Sequence, residues 1–201
     1  MDMHAEFKRL YNPSAKECQL IEVPEMGFLV VDGSGDPNTS QAFQEAIQAL
    51  YGVSYTLKFA LKKSGGPDFR VMPLEALWWD DTGGRLDPDR KSAWSWTAMI
   101  RQPDFVDDEA MSDAMGQAGA KRPLPALSKM RFQRFAEGLS AQVMHIGPYA
   151  EERPTIEKLH AFIAEQGCEP VGKHHEIYLG DPRRAAPDKL KTLVRQPVRR
   201  A

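Results

Sequence analysis

Two periods alternate along the chain. Cys18 to Val23 and Phe28 to Val31 read as short strands separated by a PEMG turn, and GSGDPN ends the second. Asn38 then reads as a helix cap, with Gln41 three residues on. Phe43, Ile47, Leu50, Tyr51, Leu57 and Leu61 recur at roughly helical spacing, predicting a helix to about Leu61 that Gly52, Val53 and Tyr55 weaken in the middle. After SGGPD, Phe69 to Trp79 reads as a strand, with Pro73 marking an edge or a bulge. DDTGGRLDPDRK reads as a long hairpin loop. Lys91 to Arg101 is the cleanest strand, with Trp94, Trp96, Ala98 and Ile100 on one face and Ser95, Thr97 and Met99 on the other.

Residues 102–129 are punctuated by Pro103, Gly119, Pro123 and Pro125 and read as a linker whose middle, Asp107 to Ala118, has helical propensity. The first pattern then returns. Arg131 to Phe135 and Ser140 to Ile146 read as strands. GPYAEERP enters a helix with Pro154 in its first turn and Ile156, Leu159 and Ile163 on its apolar stripe, and Gly167 ends it. Glu169 to Leu179 reads as a strand broken at Gly172. The expected fold class is α+β: two pseudo-symmetric strand-helix-strand-strand modules with antiparallel sheets around a central ligand cleft. Module one covers about 18–101, module two about 130–180, and a basic, solvated tail fills 181–201. The repeat is imperfect, because the second module lacks a full-length closing hairpin.

With 201 residues the chain is long enough to bury a core without staples. A net charge of -2 argues against binding nucleic acid by electrostatics, and the basic tail lacks the interleaved aromatics of a nucleic-acid strand binder. Cys18 and Cys168 match no metal-ligand spacing and read as reduced thiols. No basic-then-apolar leader and no apolar run of membrane-spanning length is visible, so the expectation is a cytoplasmic protein, a monomer or weak homodimer.

Three kinds of chemistry find no support in the motifs. Gly33 to Pro37, GSGDP, lacks the third glycine of a dinucleotide fingerprint and reads as a turn. The histidines form no metal-binding spacing, so neither a metal nor a cofactor is expected. No serine stands in a nucleophile elbow, and Cys168 has no base placed beside it by sequence.

Two features remain. KHHEIYLGDPRR, Lys173 to Arg184, alternates so that His174, Glu176 and Tyr178 share one strand face while His175, Ile177 and Leu179 share the other. A carboxylate on a packed strand is costly unless it is paired or used. All four tryptophans fall in one window, with Trp94 and Trp96 on one strand face and either Trp78 or Trp79 able to reach the same volume. Each is either sheet core or a ligand wall. Aromatic walls around a carboxylate either hold a flat apolar or cationic small molecule or make the carboxylate a general base. Glu75, on the face of Trp79, is a second candidate carboxylate. Tyr149 is either a packed turn residue or a hydroxyl aimed at the cleft, and His174 either a surface histidine or a proton relay.

The segments HIGPYAEERPTIEKL, SAWSWTAMIRQPDFV and HHEIYLGDPRRAAPDKLKTLVRQPV give the chain a resemblance, over nearly its whole length, to the GyrI-like small-molecule-binding family, related to the effector-binding domains of AraC-type and multidrug-sensing regulators. The resemblance implies two pseudo-symmetric modules around a cleft with aromatic walls and a buried glutamate, here Glu176. It is closest to a single-domain subgroup that hydrolyses cyclopropane-containing genotoxins, a detoxifying activity. In that setting Glu176 and Tyr149 would activate water, and Glu75, Trp79, Trp94, Trp96, His174 and Tyr178 would surround the ligand. No helix-turn-helix module accompanies these segments, and nothing in them points to gyrase.

Overall fold

The computed structural model describes residues 3–82, 86, 88–181 and 184–201. Part of the hairpin loop before Lys91, and Arg183 of the basic C-terminal segment, lie outside the described residues. In chain order the elements are α1 (Met3–Tyr11), β1 (Gln19–Ser34), α2 (Gln41–Lys63), β2 (Glu75–Trp79), β3 (Ser95–Arg101), α3 (Asp108–Lys121), β4 (Arg131–Ile146), α4 (Arg153–Glu165), β5 (Cys168–Pro170), β6 (His174–Tyr178) and β7 (Lys191–Arg200). Among the described residues no helix is long and apolar enough to cross a membrane.

The chain forms two compact units. A central unit spans Met26–Phe135, and a terminal unit joins Met1–Glu25 to Ala136–Ala201. The chain passes from one to the other inside β1 and β4, each 16 residues long. Composition suggested a break in the middle of both strands. Pro24 stays extended, which its fixed φ permits, and Gly138 takes a left-handed φ of +72° without ending β4.

In the central unit β3 lies between β1 and β2, antiparallel to both. Helix α2 begins not at Asn38 but at Ser40, whose Oγ accepts from the Phe43 N–H at 3.3 Å. Asn38 instead donates its backbone N–H to Asp36 Oδ1 in the preceding turn. The helix runs unbroken through Gly52 and Val53 because burial of Phe43, Ala46, Leu50, Val53 and Leu57 outweighs weak local propensity. Residues 102–129 are not a bare linker. Asp107 caps α3, and Met111, Ala114 and Ala118 are buried.

Cross-strand register sorts the side chains of this hairpin. Trp78 pairs with Trp96, and Phe43 of α2 meets both rings, at 5.4 and 5.0 Å. Trp96 is 1% exposed. A Cβ at Gly33, its partner on β1, would overlap the Trp96 ring, so the glycine is what lets the indole lie across the sheet. Trp96 is core.

In the terminal unit β7 lies between β4 and β6, antiparallel to both, and β5 pairs with its far end. The basic tail expected at 181–201 is therefore corrected. Thr192 to Val198 are buried, and β7 is the middle strand of this unit. Helix α4 packs Leu159 and Ile163 against Ala141, Val143, Val194 and Val198. With the three-residue β5 set aside, both units follow one order: strand, helix, strand, strand, with the last strand between the other two.

Trp96→Ala is expected to cost about 3–5 kcal/mol of folding stability, as for other buried large aromatics. Urea denaturation followed by far-UV circular dichroism measures this. A midpoint unchanged from wild type would contradict the core assignment.

Candidate functional site

Strand β6 answers the question its sequence poses. His175 and Ile177 point inward, while His174, Glu176 and Tyr178 lie half-buried on the other face. Same-face residues on a strand stand about 6.6 Å apart. Long side chains at two-residue spacing can therefore converge on a central one. The Tyr178 hydroxyl donates to Glu176 Oε2 at 2.7 Å, and His174 Nε2 meets Glu176 Oε1 at 3.2 Å. A carboxylate only accepts, so in this arrangement Nε2 of His174 carries the proton. The carboxylate is paired by its own strand.

Tyr149 joins this group from the turn between β4 and α4. Its ring meets Tyr178 edge-to-face, with centroids 5.6 Å apart at 80°, and it remains 39% exposed. The turn is fixed from beneath. Gly147 adopts φ +140°, and buried His145 spans the turn, its Nε2 3.2 Å from the Pro148 carbonyl and its Nδ1 2.9 Å from Thr155 Oγ1. A carbonyl only accepts, so Nε2 donates; in that tautomer Nδ1 accepts from the Thr155 hydroxyl. His174, Glu176, Tyr178 and Tyr149 thus form one polar and aromatic array on the terminal unit, with a carboxylate, two phenols and an imidazole.

The inner face of β6 carries a cluster that the sequence reading missed. Glu137, Arg195 and His175 are all but fully buried. Arg195 Nη1 donates to Glu137 Oε2 at 3.0 Å, its Nε to Gln142 Oε1 at 3.0 Å and its Nη2 to the Leu10 carbonyl at 2.6 Å. His175 Nδ1 meets Glu137 Oε1 at 2.9 Å. Simple alternation back from Gln142 would point Glu137 away from Arg195. The left-handed Gly138 shifts the alternation and turns Glu137 inward. Burial pushes the Glu137 carboxyl up, but the charges and hydrogen bonds of His175 and then Arg195 outweigh it and hold the carboxyl at about 2. A glutamate beside a mid-strand glycine, and an arginine within an apolar run, were the available signals.

The other candidates lie on the central unit and do not form one wall. Trp78 and Trp96 point toward α2, and the Trp94 ring lies 5.6 Å from Trp78, with Lys91 Nζ 5.7 Å above it. Glu75 and Trp79 point to the opposite face of the hairpin, with Leu77 and Thr97. The structure therefore separates Trp94 and Trp96 from Glu75 and Trp79. Among the described residues no group of three His, Cys, Asp or Glu stands where it could hold a metal ion.

The GyrI-like small-molecule-binding domain matches residues 16–199. The chain belongs to this family. An uncharacterized conserved protein from Listeria innocua is similar to this GyrI-like chain at 42% identity with a TM-score of 0.90, covering 97% of this chain and 98% of that one. Two structures of a hydrolase from Listeria innocua are similar at 41% identity. Their TM-scores are 0.84 and 0.86, each covers 97% of this chain, and 98% and 97% of their own lengths are matched. No curated protein matches the chain. The family assignment makes this a small-molecule-binding protein.

The buried cluster predicts acid sensitivity. Glu137 has a folded value of about 2 against an ordinary 4.5, so the folded state binds fewer protons between them. Its stabilisation is complete above pH 4.5 and is lost as pH falls toward 2. Urea midpoints measured from pH 6 to pH 3 should fall in the wild type. Glu137→Leu, which strands Arg195, should cost about 3–5 kcal/mol at pH 7 and flatten that dependence. An equally steep acid slope in the variant would rule the cluster out as its source.

Proposed function

We propose that this chain is a cofactor-independent hydrolase that adds water to strained, electrophilic small molecules, with Glu176 as general base. The observation that carries the reading is the Glu176 carboxylate, half-buried and held from both sides by Tyr178 and His174, with the exposed Tyr149 ring packed edge-to-face on Tyr178. Similarity at 41% identity to a hydrolase supports it.

The proposed step is balanced without a co-reactant. A flat substrate bearing a cyclopropane conjugated to a dienone stacks on Tyr149, whose edge-to-face contact with Tyr178 leaves a ring face open. Glu176 takes a proton from a bound water, whose oxygen bonds to the cyclopropane methylene. The strained C–C bond breaks, and its electron pair moves through the ring to the carbonyl oxygen. That oxygen becomes a phenolate and then a phenol by taking a proton. The sum is addition of one water. Positioning and a single base suffice, because ring strain supplies the driving force. His174, whose Nε2–H is bonded to the same carboxylate, orients it, and the proton taken up by Glu176 leaves to solvent.

A second reading has its own observation. Both Glu176 oxygens already carry partners, an arrangement that also suits a fixed negative charge facing a cationic ligand that is held and not turned over.

Incubation with a cyclopropadienone alkylator, followed by mass spectrometry, separates the two. Wild type should release a water adduct catalytically. Glu176→Gln, which keeps the size and removes the base, should lower turnover by about 10²-fold or more while binding changes little. Tight binding with the compound recovered intact would establish sequestration. Turnover unchanged in Glu176→Gln would remove the glutamate from the chemistry.

A further inference from the structure

A different surface of the molecule carries features that the Glu176 array does not use. Tyr51, Tyr55 and Phe59 stand at successive four-residue intervals on α2, so they share one stripe. Their rings stack in sequence, with centroids 6.3 Å apart at 28° and then 6.2 Å apart at 24°. The outer two are 46% and 59% exposed. Solvent-facing aromatic rings in an ordered row are unusual on a monomer and mark a contact surface.

The C-terminal end of α3 closes the other side. Lys121 and Arg122 stand there, and together the two helices enclose a groove of about 290 Å³. Its floor is made by small residues. A Cβ at Gly52 would lie 2.8 Å from Arg122 Nη2, so the glycine lets the guanidinium come down onto α2 beside the rings. The inner ring is fixed, because the Tyr51 hydroxyl accepts from the Leu74 N–H at 3.2 Å. Among the described residues no carboxylate lines the groove, whereas two cations do.

We propose that this groove is a second ligand site, taking a flat aromatic anion. The ring ladder offers faces for stacking, and the guanidinium and ammonium offer charge-assisted hydrogen bonds to a carboxylate, sulfonate or phosphate on the ligand edge. Charge decides between ligand classes. A cation would meet Lys121 and Arg122 with no compensating partner, whereas an anion meets both. A groove of this volume has room for a bicyclic aromatic.

The test uses the full chain and two probes of one shape, 2-naphthalenesulfonate and 2-naphthylmethylammonium, by isothermal titration calorimetry. The sulfonate should bind at one site about ten-fold or more tightly than the ammonium. Amide shifts should cluster at residues 51–59 and 118–122. Phe59→Ser and the pair Lys121→Ser/Arg122→Ser should each weaken the sulfonate about ten-fold. These positions are at the surface, so folding should persist, and circular dichroism checks it. Glu176→Gln should leave this binding unchanged, which keeps the result independent of the proposed hydrolysis. Equal affinity for the two ions in the Glu176→Gln variant, where the ammonium has no β6 carboxylate to meet, or sulfonate binding that survives both groove variants, would overturn the proposal. A dimer that dissociates on Phe59→Ser in analytical ultracentrifugation would also overturn it, assigning the ring row to a second copy of the chain.

Discussion

The Glu137 carboxylate sits where water cannot reach it, and a lone charge there would be untenable. It is stable because Arg195 and His175 meet it, and because Arg195 in turn spends its remaining donors on Gln142 and the Leu10 carbonyl. Those partners come from α1, β4, β6 and β7. Four elements distant in sequence are therefore tied at one point, and the order of the terminal unit depends on all of them arriving. Such a cluster is a poor source of net stability, since hydrophobic residues of equal volume commonly do as well. Its value is directional. An apolar core tolerates sliding, whereas a guanidinium with three specified acceptors does not.

That direction fixes β6, the short strand carrying Glu176. A one-residue slip would turn every side chain over. Glu176 would then enter the interior opposite Arg195, beside Glu137, leaving two carboxylates to share one guanidinium. His175 and Ile177 would move outward. The pairing of His175 with Arg195 in the correct register avoids both penalties. The inner row of β6 holds the strand so that the outer row is free to hold a reactive group.

Much of this was legible from the sequence, and the failures have physical causes. The alternation in KHHEIYLG gave the two faces of β6 correctly, because period 2 is a local property of extended chain. The strand-helix-strand-strand repeat was visible as well, but as incomplete, since the last strand of the second unit was read as a solvated tail. Arg195, Arg199 and Arg200 gave the segment its basic look, while TLV and PV carried the apolar positions. Whether an arginine is solvated or buried is decided by its acceptors, and those of Arg195 lie 53 to 185 residues away. With β7 in place the repeat is complete. The tryptophan cluster misled for a related reason. Proximity along the chain says nothing of which side of a sheet is covered, and here α2 covers the side of Trp78 and Trp96.

The two units use one topology to different ends. In the central unit the helix-facing side of the hairpin is filled by indoles, with Gly33 giving way so that Trp96 can lie flat. In the terminal unit the helix-facing side is smaller, with Ala141, Val143 and Val194 against Leu159 and Ile163. Glu176 pairs with Val194 in register and so stands on that same side, at its margin, where α4 gives way to the turn carrying Tyr149. A larger residue at position 141 or 143 would push the helix outward and carry Tyr149 with it, because His145 and Thr155 link β4, the turn and the first turn of α4. The geometry around Glu176 is thus set by how small the neighbouring core is, as much as by the residues that touch the carboxylate.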